Sequence, residues 1–208
     1  MMRAMSVVWA LILLGTVAIG AEDKKEEPWR RIFDGERLKD WKPNERPKNW
    51  GVEDGAIVGR GTRSHLYYMA EKLEDFEIKT EVMINEGGNS GIYFHVPYHD
   101  GGWFGDGHEV QINNTHGDPV KTGSLWGVVK LYESPVKDDE WFKVHIAVKG
   151  QNIVVRINGK IVMDYTEPKC AGHQGVRHIG KGYIAFQQHD PGSSVKYRNI
   201  MLKTPAKK

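Results

Sequence analysis

Residues 87–116 read GGNSGIYFHVPYHDGGWFGDGHEVQINNTH, and this stretch decides the fold. It opens on a polar segment set between glycines, Gly88-Asn89-Ser90-Gly91, and runs on through Ile92, Tyr93, Phe94, His95 and Val96. A loop of Gly, Asp and aromatic residues follows, then a second run, Glu109-Val110-Gln111-Ile112-Asn113. Side chains that alternate apolar and polar with a period of two mark a half-buried strand. Val110 and Ile112 are therefore expected to face a core, with Glu109, Gln111 and Asn113 in a row on the other face. A carboxylate and two amides in line make a binding face.

The same habit recurs outward in both directions. Phe76, Ile78, Thr80, Val82 and Ile84 fall on one face of a strand, and Trp141 to Val148, Gly182 to His189 and Ser194 to Leu202 alternate likewise. Asp54-Gly55 and Asn158-Gly159 each sit between two such runs, the strongest short-range hairpin signal. No stretch carries a convincing helical repeat; Leu66 to Leu73 is expected as a short helix at best. About ten short strands punctuated by 24 glycines predict one all-β domain, a two-sheet antiparallel β-sandwich of jelly-roll type. No internal repeat of solenoid or propeller period is present.

Composition agrees with a single soluble globule. Of 208 residues, 39% are hydrophobic and 27% charged, which excludes a disordered chain. The net charge of +2 and the lack of a basic patch interleaved with aromatics argue against nucleic acid. Arg3 followed by the apolar run Val7 to Val17 and the small residues Ala18-Ile19-Gly20 reads as a signal peptide over 1–21. The run is short for a membrane span, and no Cys follows it for a lipid anchor. Residues 22–30 read as a charged linker and 31–204 as the domain, exported to the periplasm or beyond. Cys170 is the one cysteine, so no disulfide within the chain is expected.

The blocks along the chain resemble a known family in order. They are Ile32-Phe33-Asp34-Gly35 with Leu38-Lys39-Asp40-Trp41, Trp50-Gly51-Val52-Glu53-Asp54-Gly55-Ala56-Ile57, and Gly88-Asn89-Ser90-Gly91-Ile92-Tyr93. Next come His108-Glu109-Val110-Gln111-Ile112, Thr122-Gly123-Ser124-Leu125-Trp126-Gly127, Gln187-Gln188-His189 and Arg198-Asn199-Ile200. The series is similar to the 3-keto-disaccharide hydrolase domain family, formerly domain of unknown function 1080, from about Ile32 to Leu202. Trp126 stands where Tyr is common. The resemblance implies a concanavalin A-like jelly roll, export, and a carbohydrate substrate already oxidised to a ketone at C3 of the sugar.

In a jelly roll the concave sheet aims alternate side chains into a cleft. Asn89, Tyr93, His95, Gln111, Trp126 and Gln187 are expected to bind substrate there, with Trp103 as a further stacking surface. Ordinary glycosidases need two carboxylates about the scissile bond, and Glu109-x-Gln111-x-Asn113 offers only one. A ketone at C3 changes the requirement, because it acidifies the C2 hydrogen and lets the C1 substituent leave by elimination, after which water adds. The reaction then needs a base, an acid and donors to an enolate oxygen. Glu109 and His189 are the catalytic candidates, with the division of labour between them open. A non-catalytic, lectin-like module using the same cleft is the alternative, and the absence of a second domain to which it would belong favours the enzyme. The ligand expected is an oligosaccharide or glycoside, with a sugar 3-dehydrogenase acting upstream. No cofactor is required; a Ca²⁺ or other divalent ion would find its carboxylates at Asp100 and Asp106.

Overall fold

The structure, a computed structural model, describes residues 28–103, 105–169 and 177–205. The expected leader, most of the linker, and Cys170 lie outside the described residues. Among those described, 13 strands run in chain order. They are β1 (Arg30–Arg31), β2 (Trp41–Pro43), β3 (Trp50–Glu53), β4 (Ala56–Arg60), β5 (Ser64–Leu73), β6 (Phe76–Ile84) and β7 (Ser90–Val96). β8 (His108–Ile112), β9 (Phe142–Lys149), β10 (Asn152–Ile157), β11 (Lys160–Thr166), β12 (Gly182–Gln188) and β13 (Ser194–Lys203) complete the set. No helix among the described residues is long and apolar enough to cross a membrane.

The strands form two antiparallel sheets. One has the order β11-β10-β9-β6-β13-β4-β3, with β1 also on β13; the other has the order β2-β5-β12-β7-β8. Their apolar faces meet in one core: Phe186 of the five-stranded sheet stacks on Tyr197 of the larger sheet at 4.0 Å, and Phe76 meets Phe94 edge-on at 5.7 Å. The expected alternation holds on β6, where Phe76, Ile78, Thr80, Val82 and Ile84 are buried in turn. Both hairpin dipeptides turn as read, with positive φ at Asp54, Gly55, Asn158 and Gly159 joining Glu53 to Ala56 and Ile157 to Lys160.

Two expectations are overturned. Leu66 to Leu73 is part of β5, the longest strand of its sheet, because β2 and β12 hydrogen-bond it from either side; from Ser64 to Tyr68 it is buried on both faces, and beyond that Ala70 and Lys72 are exposed. His95 does not follow Tyr93 into the cleft. It takes a left-handed backbone (φ 59°), and Tyr93 to Val96 on β7 spans what Ala185 to Tyr183 spans on β12. One extra residue on β7 is a β-bulge, which turns every later side chain to the opposite face. Gly182 is fitted to it, since a Cβ there would stand 2.4 Å from the His95 carbonyl carbon.

Candidate active site

Both faces of β7 and β8 are buried, so the polar row is no solvated sheet surface. Tyr93 lies directly opposite Glu109, and Gly91 opposite Gln111. On the other side of β7, Ala185 pairs with Tyr93, and Gln187 lies one turn of the pleat away, opposite His65 of β5. The strands thus raise Tyr93, Glu109, Gln111 and Gln187 on one face, while Ile92, Phe94, Val110, Ile112, Ile184 and Phe186 enter the core. These four polar residues, with Asn89, Trp103, Asp118, Trp126, Arg177 and His189, line a cleft of about 670 Å³.

Glu109 is the buried acid of the cleft, only 3% exposed. The Tyr93 hydroxyl bonds its carboxylate, Arg177 Nη2 stands 3.9 Å from its Oε2, and Gln187 Nε2 donates to the Tyr93 hydroxyl at 2.9 Å. Burial raises the Glu109 pKa to about 7, outweighing the Tyr93 hydrogen bond and the Arg177 charge. The side chain leans across Gly91, where a Cβ would come within 2.3 Å of Oε1. That close approach is the physical reason for glycine at this place in the polar segment.

His189 follows β12 and is fixed by its neighbour. Its Nδ1–H donates to Asp190 Oδ2 at 2.8 Å, which leaves Nε2 as the basic nitrogen. Burial works to raise the Asp190 carboxyl, but hydrogen bonds from His189, Ser193 and the Gly192 amide more than offset it and hold the pKa low. Asp190 therefore stays anionic and orients the ring. Trp103, 53% exposed, packs on His189 at 5.1 Å and is braced underneath by His65, which burial keeps neutral by lowering its pKa to about 3.

The opposite wall comes from the segment after β8. Gln111 N donates to Ser124 O, Gly123 N to Gln111 O and Trp126 N to Glu109 O, so this segment runs along the edge of β8 and brings Trp126, 41% exposed, to the rim. Asn113 does not line the cleft. Its amide donates to Asp118 O and Val120 O and holds the turn that carries Asp118 and His116. His95 is buried elsewhere, with Nε2 donating to Glu74 O and Nδ1 accepting from Gly180 N.

Among the described residues, Asp100 and Asp106 belong to no convergent group of three or more His, Cys, Asp or Glu side chains. Asp106 is 55% exposed and lies 3.5 Å from His99 Nε2. The group of potential ligands that does converge among the described residues is His116, His189 and Asp190, with ligand atoms within 4.8 Å of one another. There His116 Nδ1 accepts from the Asp118 amide at 3.0 Å. Its Nε2 faces Asp190 Oδ2 at 3.9 Å. The two rings thus stand about one carboxylate, His189 hydrogen-bonded to it and His116 at ion-pair distance.

Three polar atoms of the cleft are buried with no partner among the described residues: Gln111 Oε1, Gln187 Oε1 and Arg177 Nη1. Two acceptors and a donor left open in a buried setting are suited to the hydroxyls and carbonyl of a bound sugar. Of the predicted site residues, seven line the cleft (Glu109, His189, Asn89, Tyr93, Gln111, Trp126 and Gln187), and Trp103 joins them. Arg177, Asp118 and Asp190 are the ones sequence reasoning missed. Arg177 sits in an irregular segment with no periodicity to mark it, whereas Asp190 was legible as the carboxylate adjoining His189.

The fold and the site together define a lectin- and glucanase-like β-sandwich whose five-stranded sheet borders a cleft with one buried carboxylic acid and one oriented imidazole. Residues 28–203 match the 3-keto-α-glucoside-1,2-lyase-like domain, and the chain belongs to that family. A 3-keto-disaccharide hydrolase of Bacteroides thetaiotaomicron is 26% identical over 233 aligned positions, covering 83% of this chain and 77% of that protein. Among solved structures, a candidate glycosyl hydrolase of Parabacteroides distasonis superposes with a TM-score of 0.70 at 24% identity, covering 85% of this chain and 93% of that one. The carbohydrate-binding module CBM66 of Bacillus subtilis shares the fold at a TM-score of 0.60 and 11% identity, over 79% of this chain and 96% of that one.

Proposed function

We propose that this chain is an exported carbohydrate-cleaving enzyme that acts on glycosides bearing a ketone at C3, by elimination and rehydration. The observation that carries the reading is the pairing, in one cleft, of a carboxyl kept protonated near neutrality with an imidazole whose free nitrogen is fixed by a carboxylate. Groups whose surroundings push their protonation apart divide into acid and base. Membership of the family and the likeness to the Bacteroides hydrolase support the same reading.

His189 Nε2 takes the C2 proton, and the negative charge passes to the C3 oxygen, where the Arg177 guanidinium offers its open Nη1. The enolate then forms the C1–C2 double bond as the C1–O bond breaks, and the Glu109 carboxyl donates its proton to the departing oxygen. Water next adds at C1 and gives a proton to the Glu109 carboxylate, while the imidazolium returns a proton to C2. Both groups end as they began, and the net change is hydrolysis. Gln111 Oε1 and Gln187 Oε1 accept from sugar hydroxyls, and Trp103 and Trp126 border the ring. The ketone has to be supplied by an upstream sugar 3-dehydrogenase, and the leader-like character of residues 1–21 supports a reaction outside the cytoplasm.

Two observations favour a binding module instead. β8 carries a single carboxylate, and the fold is shared with a carbohydrate-binding module. Product release from a 3-keto-glucoside and from the unoxidised glucoside, by the wild type, Glu109→Gln and His189→Ala, separates the two. Turnover confined to the keto substrate and lost in both folded variants is expected. Turnover of neither substrate, with calorimetric binding of glycans retained, would leave the module.

A further inference from the structure

We infer that Glu167 is a positioning residue, whose carboxylate ties the strand carrying Glu109 to the segment carrying Arg177. The inference rests on the reading of the cleft as a catalytic site.

Arg177 reaches the cleft from residues 177–180, which belong to no strand. Its guanidinium nevertheless holds a defined place, 4.9 Å over the Trp126 ring and 5.7 Å over Tyr93. The backbone immediately beyond it supplies the reason. Ile179 N–H donates to both oxygens of Glu167, at 3.1 and 2.9 Å, and Gly180 N–H donates to His95 Nδ1 at 3.2 Å. Two consecutive amides are thus captured by two side chains, and the Ile179 side chain packs against the main core.

Glu167 stands just past the end of β11 and is 5% exposed. Its Oε1 also contacts His108 Nε2 at 3.2 Å, and His108 is fully buried on β8. His108 is the residue before Glu109, and Ile179 lies two residues after Arg177. One carboxylate therefore spans the two pieces of chain that present the acid of the cleft and its cation. A buried carboxylate is costly unless fully bonded, and among the described residues each of its hydrogen bonds goes to one of those two pieces. His95 completes the clasp from the far side, since its Nε2 is anchored on Glu74 O at 2.8 Å. Its removal from the cleft by the bulge in β7 is what makes it available for that.

Two readings test this, one of them independent of the chemistry. Amide exchange at Ile179 and Gly180 is expected to be slow in the wild type and fast in Glu167→Ala, with Glu167→Gln, which keeps one accepting oxygen, between them. On a 3-keto-glucoside, kcat is expected to fall about 10–100-fold in Glu167→Ala, the scale for a misplaced catalytic group. In an Arg177→Met background the same substitution is expected to cost nothing further. An equal loss in both backgrounds, in variants that melt cooperatively, would show a merely structural role and overturn the inference. Unchanged protection of the two amides would overturn it as well. If the wild type leaves the keto-glucoside intact, the reaction proposed above fails on its own account, and amide exchange alone then decides the clasp.

Discussion

Tyr93 and Glu109 are cross-strand partners on β7 and β8, and the hydroxyl of one bonds the carboxylate of the other. The pair sits where the sheet is covered, so the hydrogen bond is the main local force holding Glu109 toward its anion against the cost of burial. In Tyr93→Phe that bond is lost while the ring and its packing remain. The Glu109 pKa, about 7 in the wild type, is expected to rise by about one unit. The limb of the kcat–pH profile that reports the protonated carboxyl should shift alkaline by that amount; a limb that stays in place would detach it from Glu109.

Glu109 also links pH to stability. Its pKa is raised from 4.5 to about 7, so between those values the folded chain holds a proton that the unfolded chain has released. Stability therefore falls as pH rises through that window and is level above it. The cost at pH 8 is about 3 kcal/mol on the scale of 1.36 kcal/mol per unit. Glu109→Gln is expected to be more stable than the wild type at pH 8 by up to that amount, with no gain at pH 4, and to be inactive. Urea melts at the two pH values measure the difference.

Gly91→Ala places a Cβ 2.3 Å from Glu109 Oε1 and 2.9 Å from its Cγ. The carboxyl has to move, and β7 does not, because the position carries no positive φ. Activity is expected to drop about 100-fold with the melting transition still cooperative. Full activity in Gly91→Ala would mean that the carboxyl's present position is not the working one.

Asp190→Asn keeps the size of the side chain but removes the charge that holds Nδ1–H of His189. With the tautomer no longer fixed, kcat is expected to fall about 100-fold or more while KM changes little. Nitrogen chemical shifts of His189 would show the proton shared between the two ring positions. A variant with unchanged kcat would remove the imidazole from the reaction.

Much of this architecture was legible because its causes are local. Asp54-Gly55 and Asn158-Gly159 are hairpins since both residues adopt positive φ readily, and Glu109-Val110-Gln111 alternates because one face of β8 is core. What escaped the sequence depends on distant partners. β5 hides its strand nature because both its faces are buried from Ser64 to Tyr68, so the apolar run Leu66-Tyr67-Tyr68 has no period of two. His95 was misplaced because a one-residue bulge is set by β12 and Gly182, far along the chain. Arg177 could not be found because its position depends on Glu167 and His95, which lie on other elements.

The segment that brings Trp126 to the rim has a further role. β8 is the last strand of its sheet, and a terminal strand normally presents unpaired amides on which a foreign strand can dock. Here Gln111 and Glu109 spend those groups on Ser124, Gly123 and Trp126. The wall of the cleft is thus also a guard against self-association. Substitutions between Thr122 and Gly127 that unseat it are expected to make the protein aggregate as well as fail to bind, so solubility at this edge is inherited from the binding architecture.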